Sequence, residues 1–262
     1  MPTTPGAEVD VRDEASSTHV SWPGEMMVHK TWNIAGRLTS GVAILLAGAA
    51  LLSAAPAAAD PQVGRGYNAD GGNWSGYVTA GREFSSVSAR WIEPAVTCNT
   101  TTDAFAPWVG LGGFGTTMVE QAGVETSCAG GVPVYRAWYE LAPAPPVYYD
   151  DPVGPGDSIS AEVTRAGTRY TLTVTDHTRN WSRTVARSYN GSNTSAEFIL
   201  ESPTGTFPDF GTVTFTGASV DGRPLSTYTS LALDARGGYD DHTGALAGGT
   251  FSVSYRHGAA AG

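Results

Sequence analysis

Lysine is almost missing from this chain: Lys30 is the one example in 262 residues. From Asp60 onward, 12 arginines stand against 20 aspartates and glutamates, a formal charge of −8. A surface of that sign repels phosphate backbones, so nucleic acid is excluded as a partner. Histidine is scarce as well, with only His177, His242 and His257 after Asp60. No His-Glu-x-x-His and no Cys-x-x-Cys occurs, so neither a zinc site nor any other cofactor is expected. The chain also lacks a Gly-x-Ser-x-Gly elbow, a glycine-rich phosphate loop leading into a helix, and the Asp-Thr-Gly or Asp-Ser-Gly pairs of an aspartic-protease dyad. A hydrolase made from these residues must rest on Glu, Gln or an unusual pairing.

Long hydrophobic runs are absent too. The strongest, residues 42–52, falls well short of the roughly 20 residues that a membrane span needs. It follows a basic stretch with His29, Lys30 and Arg37 and leads to an Ala-x-Ala site before Asp60. That order predicts a secretory signal peptide over 26–59, started from Met26 or Met27 and cleaved after Ala59. Residues 1–25 are then an upstream extension outside the fold, and the product is secreted, with no membrane association once the signal is removed. Only two cysteines are present, Cys98 and Cys128, both in the exported part. An even count outside the cell predicts one disulfide between them.

What remains reads as β-structure throughout. After a short glycine-rich leader, residues 60–72, runs rich in Val, Thr, Tyr and Phe recur at 73–78, 84–92, 170–175, 184–189, 212–216 and 250–256, each bounded by Gly, Pro, Asn or Asp. No segment keeps a helical period beyond about two turns. The pattern predicts one all-β domain over 73–257, an antiparallel sandwich or barrel, with a frayed end at 258–262.

Three stretches carry candidate chemistry. In 193–203, alternation sends Ala196, Phe198 and Leu200 to one face and Glu197, Ile199 and Glu201 to the other, and Pro203 stops the strand. Glu201 is therefore either a solvated strand-end carboxylate or one held rigidly beside a cleft. In 118–125, Val119, Gln121, Gly123 and Glu125 share a face, and Gln121 is either a surface amide or part of a site. In 135–143, Arg136, Trp138 and Glu140 fall on one side, which suits a peptide or sugar groove or an ordinary edge strand with a snorkelling Arg.

Together with Asn73-Trp-Ser-Gly-Tyr77, Trp108-Val-Gly110, Glu120-Gln121-Ala-Gly123 and Pro155-Gly-Asp157, the runs Tyr135-Arg-Ala-Trp-Tyr-Glu140 and Ala196-Glu-Phe-Ile-Leu-Glu201 resemble the glutamic peptidases of the eqolisin type, in their secreted bacterial branch. Order and spacing agree over nearly all of the chain from residue 73. The resemblance implies a β-sandwich of two large antiparallel sheets, lectin-like in shape, with Gln121 and Glu201 as the catalytic pair on its concave face. It also implies that Trp74, Trp108, Trp138 and Glu140 bind substrate, that the substrates are polypeptides, and that the reaction is acid endopeptidase hydrolysis by an activated water. A monomer is expected. Gly112 and Arg136 stand where the better-known fungal members have Asp, which bears on subsites rather than on the pair. The alternative is a secreted carbohydrate-active sandwich using Glu140 and Glu201 as its two carboxylates. Gln121 discriminates, because a glycosidase has no use for it.

Overall fold

The computed structural model describes residues 68–235 and 241–256. The expected upstream extension, the signal peptide, residues 60–67 of the leader and the C-terminal 257–262 lie outside the described residues.

The strands, in chain order, are β1 Ala69–Asp70, β2 Trp74–Ala80, β3 Ser86–Ile92, β4 Ala104–Leu111, β5 Glu120–Ala129, β6 Val132–Leu141, β7 Val147–Tyr148 and β8 Ser158–Ala166. They continue with β9 Arg169–Asp176, β10 Trp181–Ser188, β11 Ser195–Glu201, β12 Thr212–Val220, β13 Arg223–Pro224, β14 Ser230–Asp234, β15 Asp241–Thr243 and β16 Phe251–Tyr255. A single 3-10 turn, Leu225–Thr227, is the one helical element among the described residues. One sheet runs β1-β14-β2-β11-β4-β5-β6-β7, and the other runs β10-β9-β8-β3-β12-β16-β15 with β13 beside β12. Neighbours are antiparallel apart from the short β1–β14 pair. The last five residues of the expected leader, 68–72, join the first sheet through β1.

Period-two alternation explains why the two sheets face one another. Ala196, Phe198 and Leu200 of β11 turn inward with Phe105, Val109 and Leu111 of β4 and with Ala122 and Val124 of β5. They meet Val87, Ala89 and Trp91 of β3, Ile159 and Val163 of β8, and Leu172 and Val174 of β9. Burying each of the larger side chains contributes about 1.5–3 kcal/mol. Phe215 stacks on Phe251 with ring centroids 5.0 Å apart, closing the far end of this core.

Cys98 and Cys128 are joined as expected, with Cα atoms 5.8 Å apart. The bond ties the loop before β4 to the end of β5, and closing a loop of 30 residues stabilises the fold by roughly 3–4 kcal/mol in the chain-entropy view.

The first sheet has a second apolar layer on its outer face. Val78, Ala106, Trp108, Val119, Trp138, Ile199 and Leu233 cluster there, apart from the main core. The split expected within 193–203 is what the strand adopts, but its polar face is not solvated: Glu197 and Ile199 are fully buried and Glu201 is partly so. The indole of Trp108 lies over Glu201, and the backbone at Phe114 closes on Glu197.

Candidate active site

Strand register brings the candidate residues into adjacent rows on the outer face of the first sheet. The central row pairs Ile199 with Trp108, Trp108 with Gly123, Gly123 with Trp138, and Trp138 with Tyr148. Beside it, Glu197 pairs with Gly110, Gly110 with Gln121, and Gln121 with Glu140. On the other side Glu201 pairs with Ala106, and Glu125 with Arg136. Because side chains alternate, every member of these rows points away from the main core.

Glu201 ends β11 and is held at both oxygens. Asn73 Nδ2 donates to Oε1 at 2.9 Å, and Trp108 Nε1 donates to Oε2 at 3.0 Å. Trp74, which pairs with Glu201 across β2, sets its ring edge-on to Trp108 at 5.1 Å and so fixes the indole. Burial raises the Glu201 carboxyl above its ordinary value. Donors from Trp74, Trp108 and Asn73 oppose that rise, and the charge of Glu125 adds to it.

Gln121 lies on β5, and its Nε2 donates to Glu140 Oε2 directly across on β6. Its carbonyl Oε1 is buried with no partner among the described residues. Burial pushes Glu140 up to about 7, the hydrogen bond from Gln121 pulls it back, and the charge of Glu201 pushes it further. Gln121 and Glu201 are not hydrogen-bonded to each other; β4 runs between their strands and carries Trp108 between them. Trp138 is 5% exposed and floors the central row.

All six expected site residues, Trp74, Trp108, Gln121, Trp138, Glu140 and Glu201, therefore share one face of one sheet. Their neighbours were not foreseen. Asn73 reads in the sequence as a glycosylation sequon, Asn-Trp-Ser, yet its amide grips Glu201. Glu125 was placed on the right face without a role. Its Oε2 accepts from Tyr148 Oη at 2.6 Å, a partner 23 residues away that no local pattern links to it. Glu197 accepts the Phe114 N–H at 3.1 Å and is pushed up to about 8 by burial. Among the described residues, no three His, Cys, Asp or Glu side chains converge as metal ligands.

Gly123 keeps the centre of the site open to Trp108. A Cβ there would lie 2.2 Å from Pro107 O and 2.7 Å from Trp108 Cβ, so any side chain would push β4 and its indole away.

A family model described as the peptidase A4 family matches residues 72–237. Among solved structures, scytalido-glutamic peptidase bound to a transition-state analogue inhibitor is similar at 27% identity and a TM-score of 0.62, over 71% of this chain and 98% of that one. SCP-B, an eqolisin bound to the tripeptide Ala-Ile-His, is similar at 26% identity and a TM-score of 0.60, again over 71% and 98%. No curated protein matches the chain by sequence. With the family model spanning more than half of the chain and the sandwich matching those enzymes nearly end to end, the chain belongs to the peptidase A4 family and is a glutamic endopeptidase.

Proposed function

We propose that the chain is a secreted, acid-active endopeptidase in which Glu201 is general base and then general acid, and Gln121 stabilises the oxyanion. The observation that carries this is a difference in how the two carboxylates are held. Glu201 has donors on both oxygens, whereas Glu140 has one donor, the amide of Gln121. Donors to the charged form favour it, so of the two carboxyls Glu201 is the one better held as a charge. Glu140, pushed up to about 7, stays protonated in acid.

Peptide hydrolysis needs a water made nucleophilic, an oxyanion stabilised and a leaving amine protonated. The Glu201 carboxylate takes the water proton as oxygen attacks the carbonyl carbon, and it returns that proton to the amine as the C–N bond breaks. The amide of Gln121 has two N–H groups. One is held by Glu140, which fixes the plane of the amide; the other is left for the developing oxyanion, and the unclaimed carbonyl can orient the water. Trp74, Trp108 and Trp138 give the extended substrate an apolar floor. The substrates are polypeptides, and a monomer suffices because every group named lies on one sheet of one chain.

Purified Glu201→Gln and Gln121→Ala protein, incubated with an unfolded protein across acidic pH and read by mass spectrometry of the products, tests the assignment. Removing the base should cost about 10²–10⁴ in rate, and removing the oxyanion donor about 10²–10³. Wild-type rates from either variant overturn it. The carbohydrate reading is set aside, because a glycosidase gives Gln121 no task and the family is one of peptidases.

A further inference from the structure

We infer that Arg136 forms a subsite that takes a carboxylate of the substrate, from an acidic side chain or from the peptide's C-terminus. The inference rests on the endopeptidase reading above and names a preference within it. By alternation, β6 presents Val132, Val134, Arg136, Trp138 and Glu140 on the outer face, while Ala137 and Tyr139 turn to the core. Arg136 therefore stands one step along the strand from the aromatic floor.

Among the described residues Arg136 forms no ion pair, although its charge favours the ionised form of Glu125. Glu125 lies directly opposite on β5, yet its Oε2 accepts from Tyr148 Oη. The guanidinium instead lies over the Tyr148 ring, with Cζ 4.1 Å from the centroid. Arg136 makes no hydrogen bond or ion pair with any described residue, and its Nε is buried without a partner. Elsewhere, Arg82, Arg165, Arg179 and Arg183 each find a carboxylate within 3.0 Å. A guanidinium stacked by its face keeps its N–H donors at the edge, in the planar fork that fits a carboxylate. Tyr148 thus acts as a splint for a guanidinium that makes no ion pair with Glu125.

Charge on this face makes the subsite selective. Strands β2, β4, β5, β6 and β11 carry the carboxylates Glu125, Glu140, Glu197 and Glu201 on it, and Arg136 is the one cation on any of these strands. In acid Glu140 and Glu197 are held protonated by burial, so a substrate carboxylate crosses most of the face without a partner charge and meets one at Arg136. Exposed Val134, next on the same side of β6, can pack the methylenes behind that carboxylate. Arg136 is three strands from Glu201 in the order β11-β4-β5-β6. At about 4.8 Å per strand and about 3.3 Å per extended residue, the acidic group belongs about four residues from the cleaved bond.

The test compares kcat/KM for peptides that differ only in Glu against Gln, with the Glu scanned along the chain, and for the neutral peptide with a free against an amidated C-terminus, at about pH 5, where substrate carboxylates are ionised. For the wild type, the ratio of charged to neutral substrate should reach about tenfold or more at one position, the size expected of a charge-assisted hydrogen bond. The scanned Glu and the free C-terminus separate the two sources of carboxylate. Arg136→Gln should bring the ratio to about one, Arg136→Lys should recover part of it, and Arg136→Glu should invert it. A wild-type ratio near one at every position, or a ratio that survives in Arg136→Gln, overturns the subsite and leaves Arg136 as a prop for Tyr148. Wild-type protein that cleaves nothing would instead defeat the peptidase reading. The subsite is then decided separately, by whether tryptophan fluorescence titration shows tighter binding of the acidic than the neutral peptide and whether Arg136→Gln removes the difference.

Discussion

Glu201 and Glu140 are chemically the same group on one face, and their donors are what separate them. Asn73 contributes one of the side-chain hydrogen bonds that hold the Glu201 oxygens. Because that bond favours the ionised form, Asn73→Ala should raise the carboxyl's pKa further, so the acidic limb of the pH profile of kcat/KM should move to higher pH. The rate at the optimum should fall by about tenfold, as expected for losing a hydrogen bond to a charged group. Trp108→Phe, which keeps the ring and removes the N–H, should move the limb the same way. A profile unmoved by both changes would show that these donors do not act on the titrating group. The strand-end position of Glu201 was legible in the sequence, since alternation and Pro203 define it locally. Asn73 was not, because its partner lies 128 residues away.

At the level of strands, β4 decides how closely the site packs. It sits between β11 and β5 and contains Pro107, a residue that central strands usually exclude for want of an N–H. The register with β5 pairs Phe105 with Thr126 and resumes at Trp108 with Gly123, skipping the residues around the proline. The Pro107 carbonyl then presses against the space that Gly123 leaves empty. Gly123→Ala should destabilise the fold by about 1–3 kcal/mol as β4 shifts, measured by urea denaturation. Activity should fall with it, because Trp108 loses its aim at Glu201. Stability and activity both at wild-type level would mean that the two strands part without consequence. This strand also shows where sequence reading stops. The segments 84–92 and 170–175 could be read because one face is apolar and the other polar, as their alternating burial bears out. Every residue of β4 is buried, so no alternation marks it. Likewise Ser, Ala and Glu dilute the β-signal of β8, although its apolar residues face the core.

Over the whole molecule, buried Asp103 and Asp234 are held below their ordinary value by hydrogen-bond donors, but four glutamates are held as protonated acids. Burial pushes Glu93, Glu120 and Glu140 up to about 7 and Glu197 up to about 8, from an ordinary value of 4.5. Glu93 is fully enclosed, bonded to Trp91 Nε1 at 2.9 Å and to Thr126 Oγ1 at 3.0 Å, and no ion pair involving any of these four carboxyls is found among the described residues. The solvent face of the second sheet carries hydroxyl pairs that do not titrate: Thr173 meets Thr184, Thr175 meets Ser182, Thr212 meets Ser254, and Thr214 meets Ser252. Below about 4.5 the four glutamates are protonated whether the chain is folded or not. As pH rises above that, the unfolded chain releases these protons and the folded one keeps them, so unfolding is increasingly favoured until the folded groups ionise at about 7 to 8. The melting temperature should therefore be highest in acid and fall steadily across that window. Glu197→Gln keeps the side chain's shape without its proton, so at acid pH it should change the midpoint little, while near neutrality it should raise the midpoint above wild type. A midpoint that climbs with pH, or a Glu197→Gln protein that lags wild type equally at both ends, would mean that burial of these carboxyls does not govern where the protein is stable.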